Sequence, residues 1–318
     1  MTNHDPSFTI RRAASADTDA IENLTRDVFW TFIEPGYTVH HNHLAISVLR
    51  GAEGYVPELD LVAVDNDGGE IVGHIIYTRS RIVPTSPNTH RPATASTTAV
   101  HDVVPTAIAA EQDHTASGVE VLTFGPLTVR GARQGQGVGR ALIEYSFAEA
   151  LRLGIVSGPG QAPAVVILGV PDYYPRLGFR RGSEFGLTFG GYSFDALLAY
   201  PLVDGALDGV QGDLVVDPAH GELTPEAAAE FDKKFPPRQP HVPTPIDTLA
   251  DTIGQDAVDA MRAAGVDTIE AVTEYSQAEL ATMTNLAPTG QAEVATAVRN
   301  ATGRRWGRGV CQVFGVSG

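Results

Sequence analysis

The sequence has little cysteine, few basic residues and no long apolar run. Cys311 is the one cysteine among 318 residues, which excludes a disulfide within the chain and is typical of a reducing compartment. No apolar stretch reaches the roughly 20 residues of a membrane-spanning helix. The first residues also lack an apolar secretory segment. We therefore expect a cytoplasmic protein that does not act at a membrane.

Basic residues are outnumbered by acidic ones. The chain has 22 Lys and Arg against 38 Asp and Glu, a formal net charge of −16. Non-specific binding to nucleic acid depends on basic side chains that neutralise phosphates, so this balance argues against nucleic acid as a partner. The hydrophobic fraction of 43% is ordinary for a globular chain, and 318 residues favour two domains.

The pattern along the chain divides it into three parts. Residues 1–212 alternate strands and helices, and they contain an aperiodic stretch, residues 84–118, that is typical of a flexible insertion. Residues 213–245 contain one helix and the run "FPPRQPHVPTPI", whose prolines are typical of a stiff linker. Residues 246–318 show a helical pattern throughout and predict a small all-α domain.

Periodicity and helix or turn breakers predict the elements of the first part. We expect a helix from about residue 15, and others over residues 43–50 and 137–153. The predicted strands are Phe8–Arg12, 59–65, 70–81, Val119–Val129, 164–168 and 196–200. Asn66-Asp67-Gly68-Gly69 predicts a hairpin turn. Gly125-Pro126 predicts a bulge or kink, since proline cannot donate to the ladder.

A glycine-rich loop, "VRGARQGQGVGRA", lies between a predicted strand and a predicted helix. Gly135, Gly137 and Gly139 lack the Cβ atoms that would keep a ligand away from the backbone. The first N–H groups of a helix are unpaired, and the helix dipole favours an anion there. Arg133 and Arg140 add positive charge. The loop fits neither the P-loop nor the dinucleotide spacing, yet it predicts a phosphate site.

The spacing Gln134-x-x-Gly137-x-Gly139, with "YYPRLGF" further on, resembles the signatures of the GNAT N-acetyltransferase superfamily. "EIVGHIIYT", "LTFGPLTV" and "VVILGVPDYYPRLGF" are similar to its YhbS-like predicted acetyltransferases, and the resemblance spans residues 8–212. It implies an α/β (α+β) fold with a mixed central sheet, two splayed strands and flanking helices. It also implies acetyl-CoA as cofactor and direct transfer of an acetyl group to a primary amine in a ternary complex.

The resemblance implies site residues as well. The cofactor-binding positions are Leu127, Thr128, Val129, Gln134, Gly135, Gln136, Gly137, Val138, Gly139 and Arg140. Tyr174 matches the general acid of the family, although packing roles for Tyr173 and Tyr174 remain open.

The general base is open among four candidates. They are Glu120, Thr123, His74 and a water chain, and for His74 a structural role is favoured. The histidines at 40, 41 and 43 lack a third ligand at suitable spacing, so we expect a surface or acceptor-site loop there and no metal.

The helical part resembles the C-terminal domain of the bacterial RNA polymerase α subunit and related helix-hairpin-helix modules. The matching features are Ala264-Gly265-Val266, Thr268-Ile269, Glu279-Leu280 and Asn285-Leu286. The DNA-contact positions of those modules correspond here to Asp256, Asp259 and Ala287-Pro288-Thr289, so a phosphate backbone would be repelled. We expect a protein-contact or structural module. For the whole chain, a CoA-binding sensor without turnover is the alternative to an enzyme.

Overall fold

The computed structural model describes residues 7–30, 41–85, 91–92, 105–169, 171, 173–239, 242–275 and 277–302. They form two compact units, the first ending at residue 237 and the second beginning at residue 238. Cys311, His40 and about half of the predicted insertion, residues 86–90 and 93–104, lie outside the described residues. Within those ranges, no helix combines the length and the apolar character needed to cross a bilayer.

The first unit is built on one mixed sheet with helices on both faces. Its strands are β1 (Phe8–Arg12), β2 (Leu61–Asp65), β3 (Ile71–Val83), β4 (Arg91–Pro92), β5 (Val119–Val129), β6 (Gln161–Leu168), β7 (Arg180–Arg181), β8 (Leu187–Thr188), β9 (Tyr192–Ser193), β10 (Leu197–Pro201) and β11 (Gly212–Val215). Its helices are α1 (Thr18–Trp30), α2 (Asn42–Arg50), α3 (Pro105–Glu111), α4 (Val138–Leu153) and α5 (Pro225–Asp232).

The main sheet has the strand order β1-β2-β3-β5-β6-β10-β7, and β11 joins β3 and β8 beside it. Because side chains alternate along a strand, the sheet buries a different core on each face. One core joins the sheet to α4 through Val138, Leu142 and Ile143. The other joins it to α1, α2 and α5 and includes Ile21 and Leu49.

The two central strands, β5 and β6, are parallel and soon separate. They pair at Glu120↔Gln161 and Leu122↔Val165, and their pairing goes no further. On its other side β5 stays paired with β3 as far as Val129. The predicted fold class is therefore confirmed: a mixed sheet with splayed strands, helices on its flanks and a helical C-terminal part.

The second unit consists of helices in its described residues. They are α6 (Ala250–Ile253), α7 (Gln255–Ala263), α8 (Gln277–Thr284) and α9 (Pro288–Thr302). Its core is apolar and includes Val258, Met261, Leu280, Val294 and Val298. The helix-hairpin-helix assignment of this unit stays a prediction.

Two segments differ from the sequence predictions. Part of the predicted flexible insertion forms α3, and the Gln112 side chain after it donates to Leu214 O at 2.6 Å and accepts from Val216 N at 3.0 Å. The segment after residue 212 continues the sheet as β11, and α5 joins the core formed with α1 and α2. Residues 213–232 therefore pack within the first unit. The sequence pattern did not show this, because their partners lie far away in the sequence.

Candidate active site

The loop between β5 and α4 presents backbone donors that the protein leaves unpaired. Gly135 and Gly137 have φ angles of 76° and 88°, which glycine adopts without steric strain. Gly137 is the N-cap of α4, where no side chain caps the helix. Within the described ranges, no backbone or side-chain atom accepts from the N–H groups of Gly135, Gly137, Val138, Gly139 and Arg140. Together with the helix dipole, these donors suit an anion.

The charged and amide side chains of the loop are mostly engaged. Arg133 donates to Asp65, and Arg140 Nε donates to Glu144 Oε1 at 2.7 Å. That hydrogen bond to Glu144 raises the pKa of Arg140 further. Gln136 Nε2 donates to the Ala132 carbonyl at 2.8 Å and so braces the loop. Backbone groups therefore supply most of the attraction for an anion.

The edge of β5 beside the loop also carries unpaired backbone groups. Arg130 N donates to Val72 O at 2.9 Å, and hydrogen-bonded pairs alternate along an antiparallel ladder. Leu127 and Val129 therefore direct their backbone groups away from β3, toward the side from which β6 has separated. Gln134 Nε2 donates to the Val129 carbonyl at 3.1 Å. The N–H groups of Leu127 and Val129 have no acceptor in the part of the chain that the structure describes.

Thr128 differs from its two neighbours on β5. Its backbone pairs with His74 of β3, and its hydroxyl oxygen lies 3.3 Å from the Thr25 hydroxyl on α1. The side chain is fully buried. The structure therefore places this predicted cofactor-binding residue on the helix α1 face rather than on the open strand edge.

β5 is irregular at Gly125-Pro126. Ile75 pairs with Leu127 and Tyr77 with Phe124, so two β5 residues stand opposite Ile76. A bulge of this kind bends the strand and increases its twist, and proline removes one ladder donor. The predicted kink lies here, just beyond the last residue at which β5 pairs with β6.

Two adjacent tyrosines follow β6 in different environments. Tyr174 is 0% exposed, and its ring centroid lies 5.9 Å from that of Phe124 and 5.3 Å from that of Phe179. Tyr173 is partly exposed, and a Cβ at Gly139 would lie 3.1 Å from its hydroxyl oxygen. The sequence pattern singled out Tyr174 and missed that Tyr173 lies against the glycine loop.

Glu120 and Thr123, two candidates for the base, have other partners. Glu120 Oε1 accepts from Arg79 Nη1 at 2.5 Å and from Gln161 Nε2 at 2.6 Å. It lies where β5 and β6 are still paired, roughly 23 Å along the strand from Leu127 at about 3.3 Å per residue. The hydroxyl of Thr123 donates to the Val166 carbonyl at 2.9 Å. The structure does not bring Glu120 to the glycine loop.

His74 belongs to a buried ion-pair network. Its Nε2 lies 2.8 Å from Asp60 Oδ1, while Arg50 Nε and the Tyr55 hydroxyl each donate to Asp60 Oδ2 at 2.7 Å. Burial opposes ionisation of Asp60, but the hydrogen bonds from His74 and Arg50 outweigh it and hold its pKa well below the usual range. These contacts favour a structural role for His74.

The histidines near the start of α2 are buried, which corrects the prediction of a surface loop. His41 and His43 are 5% and 1% exposed, and His220 lies close by. Burial lowers the pKa of His41 to about 4 and that of His220 to about 3. Among the described residues, no three His, Cys, Asp or Glu side chains are placed to share a metal ion.

Comparisons with known proteins find no matching family model and no matching curated protein. Solved structures that are similar include the Escherichia coli GNAT family N-acetyltransferase YhbS in complex with CoA, at 21% identity and a TM-score of 0.47, covering 69% of this chain and 94% of that one. A Brucella melitensis GNAT family acetyltransferase in complex with acetyl-CoA has 20% identity and a TM-score of 0.42, covering 67% and 98%. These relationships are too distant to assign a ligand or a reaction to this chain.

Proposed function

We propose that this chain is an acetyl-CoA-dependent N-acyltransferase of the GNAT type, which moves an acetyl group to a primary amine by direct transfer. One observation carries the proposal: the unpaired N–H groups of the α4 turn lead directly onto the open edge of β5. A ligand with a diphosphate followed by an extended arm containing amides matches both sets of groups. Coenzyme A has this chemistry.

The residues present fit such a ligand. The unpaired N–H groups of the loop and the first turn of α4 would hold the diphosphate, and a Cβ at Gly137 would meet no atom within 4 Å, so the approach to this backbone is open. Leu127 and Val129 would pair with the amides of the arm through their outward backbone groups. Arg140 would add charge at the rim.

Bound acetyl-CoA supplies an activated thioester carbonyl, and the protein orients the amine that attacks it. That amine must first lose a proton if it resembles lysine, whose pKa is about 10.4. Glu120, Thr123 and His74 are each bonded elsewhere, which favours proton loss to water. The hydroxyl of Tyr174 is the proposed proton donor to the leaving sulfur, and its burial keeps water away from it.

The same contacts favour a second candidate, a CoA-binding sensor without turnover. A buried Tyr174 and base candidates that are bonded elsewhere are compatible with a groove that holds the ligand without reacting. The discriminating feature is turnover, since both candidates require the same diphosphate site.

Calorimetry with CoA and a thiol-release assay with acetyl-CoA test both candidates on the full chain. The amine panel should contain a peptide N-terminus, a lysine peptide, a polyamine and an aromatic amine. Binding together with thiol release that depends on an amine supports the enzyme. Binding with no release for any amine supports the sensor, and an absence of CoA binding refutes both.

For residues 246–318 we propose a protein-contact module, with DNA as the disfavoured partner. Support comes from the acidic side chains along its sequence, which would repel a phosphate backbone. Fluorescence anisotropy of a labelled DNA duplex titrated with the full chain should show no binding at physiological salt. Saturable binding that weakens steeply with salt would contradict this assignment.

A further inference from the structure

The geometry points to Tyr173 as a further cofactor-contact residue, whose hydroxyl donates a hydrogen bond to the diphosphate beside the α4 turn. This role rests on the proposed function. Tyr173 lies outside the glycine loop, yet its hydroxyl oxygen is 3.1 Å from where a Cβ of Gly139 would be. The same Cβ position is 3.4 Å from Val129 Cγ2, so the phenol also lies beside the open edge of β5.

Packing holds the Tyr173 ring in this position. It makes an edge contact with Tyr174 at a centroid distance of 5.0 Å. Tyr174 is itself fixed by Phe124 and Phe179 and by the absence of a side chain at Gly169, where a Cβ would lie 2.6 Å from the Tyr174 ring. The buried tyrosine therefore acts as a platform that directs its partly exposed neighbour toward the α4 turn.

The chemistry at that position favours donation to an anion. The hydroxyl adds one O–H donor next to the unpaired N–H groups of Gly139 and Arg140. A phosphate oxygen here would accept from the backbone and from the phenol together, and hydrogen bonds to charged groups are the stronger kind.

Tyr173→Phe is the direct test, measured as the Kd for CoA by calorimetry on the full chain. Removing the hydroxyl should raise this Kd about tenfold or more and raise the KM for acetyl-CoA with it, while the melting temperature without ligand stays unchanged. Tyr200→Phe is the matched control, because Tyr200 belongs to the same aromatic cluster but lies on β10. That variant should bind CoA as the unmodified chain does. A change of less than about twofold for Tyr173→Phe would overturn the inference.

A double-mutant cycle with Gly139→Ala tests the contact itself. In the unmodified chain the added Cβ presses on the Tyr173 hydroxyl and should weaken CoA binding, whereas in the Tyr173→Phe background that pressure is gone. We expect the two effects to be non-additive by about fivefold or more in Kd, and additive effects would overturn the inference. If the unmodified chain does not bind CoA at all, the proposed function fails, which is distinguishable from failure at Tyr173.

Discussion

His41 and His220 are buried between the start of α2 and the turn at residues 218–222, and we expect them to make the first unit sensitive to mild acid. Burial is the main reason why the pKa of His41 is lowered to about 4 and that of His220 to about 3, and the charge of a neighbouring histidine is the second reason. In the unfolded chain both take up a proton near 6.5. Their contribution to stability is therefore complete above pH 6.5 and is lost as the pH falls toward these folded-state pKa values.

The size of the loss at pH 5 follows from the same pKa values. At pH 5 both histidines are still mostly neutral in the folded state and mostly protonated in the unfolded state. This pH lies about 1.5 units below their unfolded-state pKa of about 6.5. At 1.36 kcal/mol per unit, each lowers the free energy of unfolding by about 2 kcal/mol. The pair therefore costs about 4 kcal/mol. Buried carboxylates with lowered pKa values, such as Asp60, add to this only at more acidic pH.

Urea unfolding at pH 7 and pH 5 measures this loss. The chain has two tryptophans, so in a Trp306→Phe background the fluorescence of Trp30 reports on the first unit. His220→Gln removes one titrating ring and keeps a polar group beside Thr78, whose hydroxyl lies 3.3 Å from His220 Nε2. The difference between the two pH values should then fall to about 2 kcal/mol. The same loss in His220→Gln as in its parent, or a total below about 1 kcal/mol, would refute the reasoning.

Three further substitutions test contacts of the first unit. Arg140→Gln should raise the Kd for CoA by only about twofold to fivefold, because an exposed charge contributes little. Arg152→Gln, at the far end of α4, is the control and should leave that Kd unchanged. Equal effects of the two substitutions would contradict the placement of the anion site at the start of α4. Arg26→Met leaves the partly buried Asp232 without its guanidinium partner, while His43 Nε2 stays 3.0 Å from Asp232 Oδ1. We expect the free energy of unfolding to fall by about 2–3 kcal/mol in the same fluorescence assay, and an unchanged stability would mean that the Arg26–Asp232 pair is dispensable. Thr224→Ala removes the side-chain cap of α5 and should cost about 1 kcal/mol, with restoration by Ser as the check.

Local patterns predicted much of the fold because their causes lie within a few residues. β1 and β5 have the predicted bounds, and the local apolar pattern of each strand is enough to define them. Gly154 adopts a left-handed conformation at the C-terminal end of α4, as glycine commonly does there. The glycine loop of the candidate site was predictable for the same reason, since its spacing is contiguous in the sequence.

Features that depend on distant partners could not be predicted from these patterns. β11 pairs with β3, and α3 is fixed through Gln112, whose partner Leu214 is 102 positions away. Leu151 shares the apolar spacing of α4, but it is 40% exposed in the structure. Alternation puts the side chains of Glu120 and Leu122 on one face of β5, but it does not show where β5 separates from β6.

Tyr173 shows the same limit within the candidate site. The family motif aligns with Tyr174, the residue after Tyr173. The contact between Tyr173 and Gly139 exists only after β6 and α4 have packed. A sequence signal was present in the doubled tyrosine, but spacing alone does not tell which ring is buried. Burial separates them in the structure, because Tyr174 fills the space beside Phe124 and leaves its neighbour at the surface.

The proposed site has to attract an anion on a protein whose formal charge is −16. Long-range attraction cannot supply this, since the nearby Arg133 and Arg140 are each bonded to a carboxylate and the Debye length is about 10 Å at 0.1 M salt. Backbone N–H dipoles carry no net charge, so a counter-ion elsewhere on the surface does not neutralise them, and they act only on a group in contact with them. Recognition by contact requires that the anion reach the backbone N–H groups directly. Three glycines allow this because they have no Cβ, whereas three lysines would add charge without exposing the backbone.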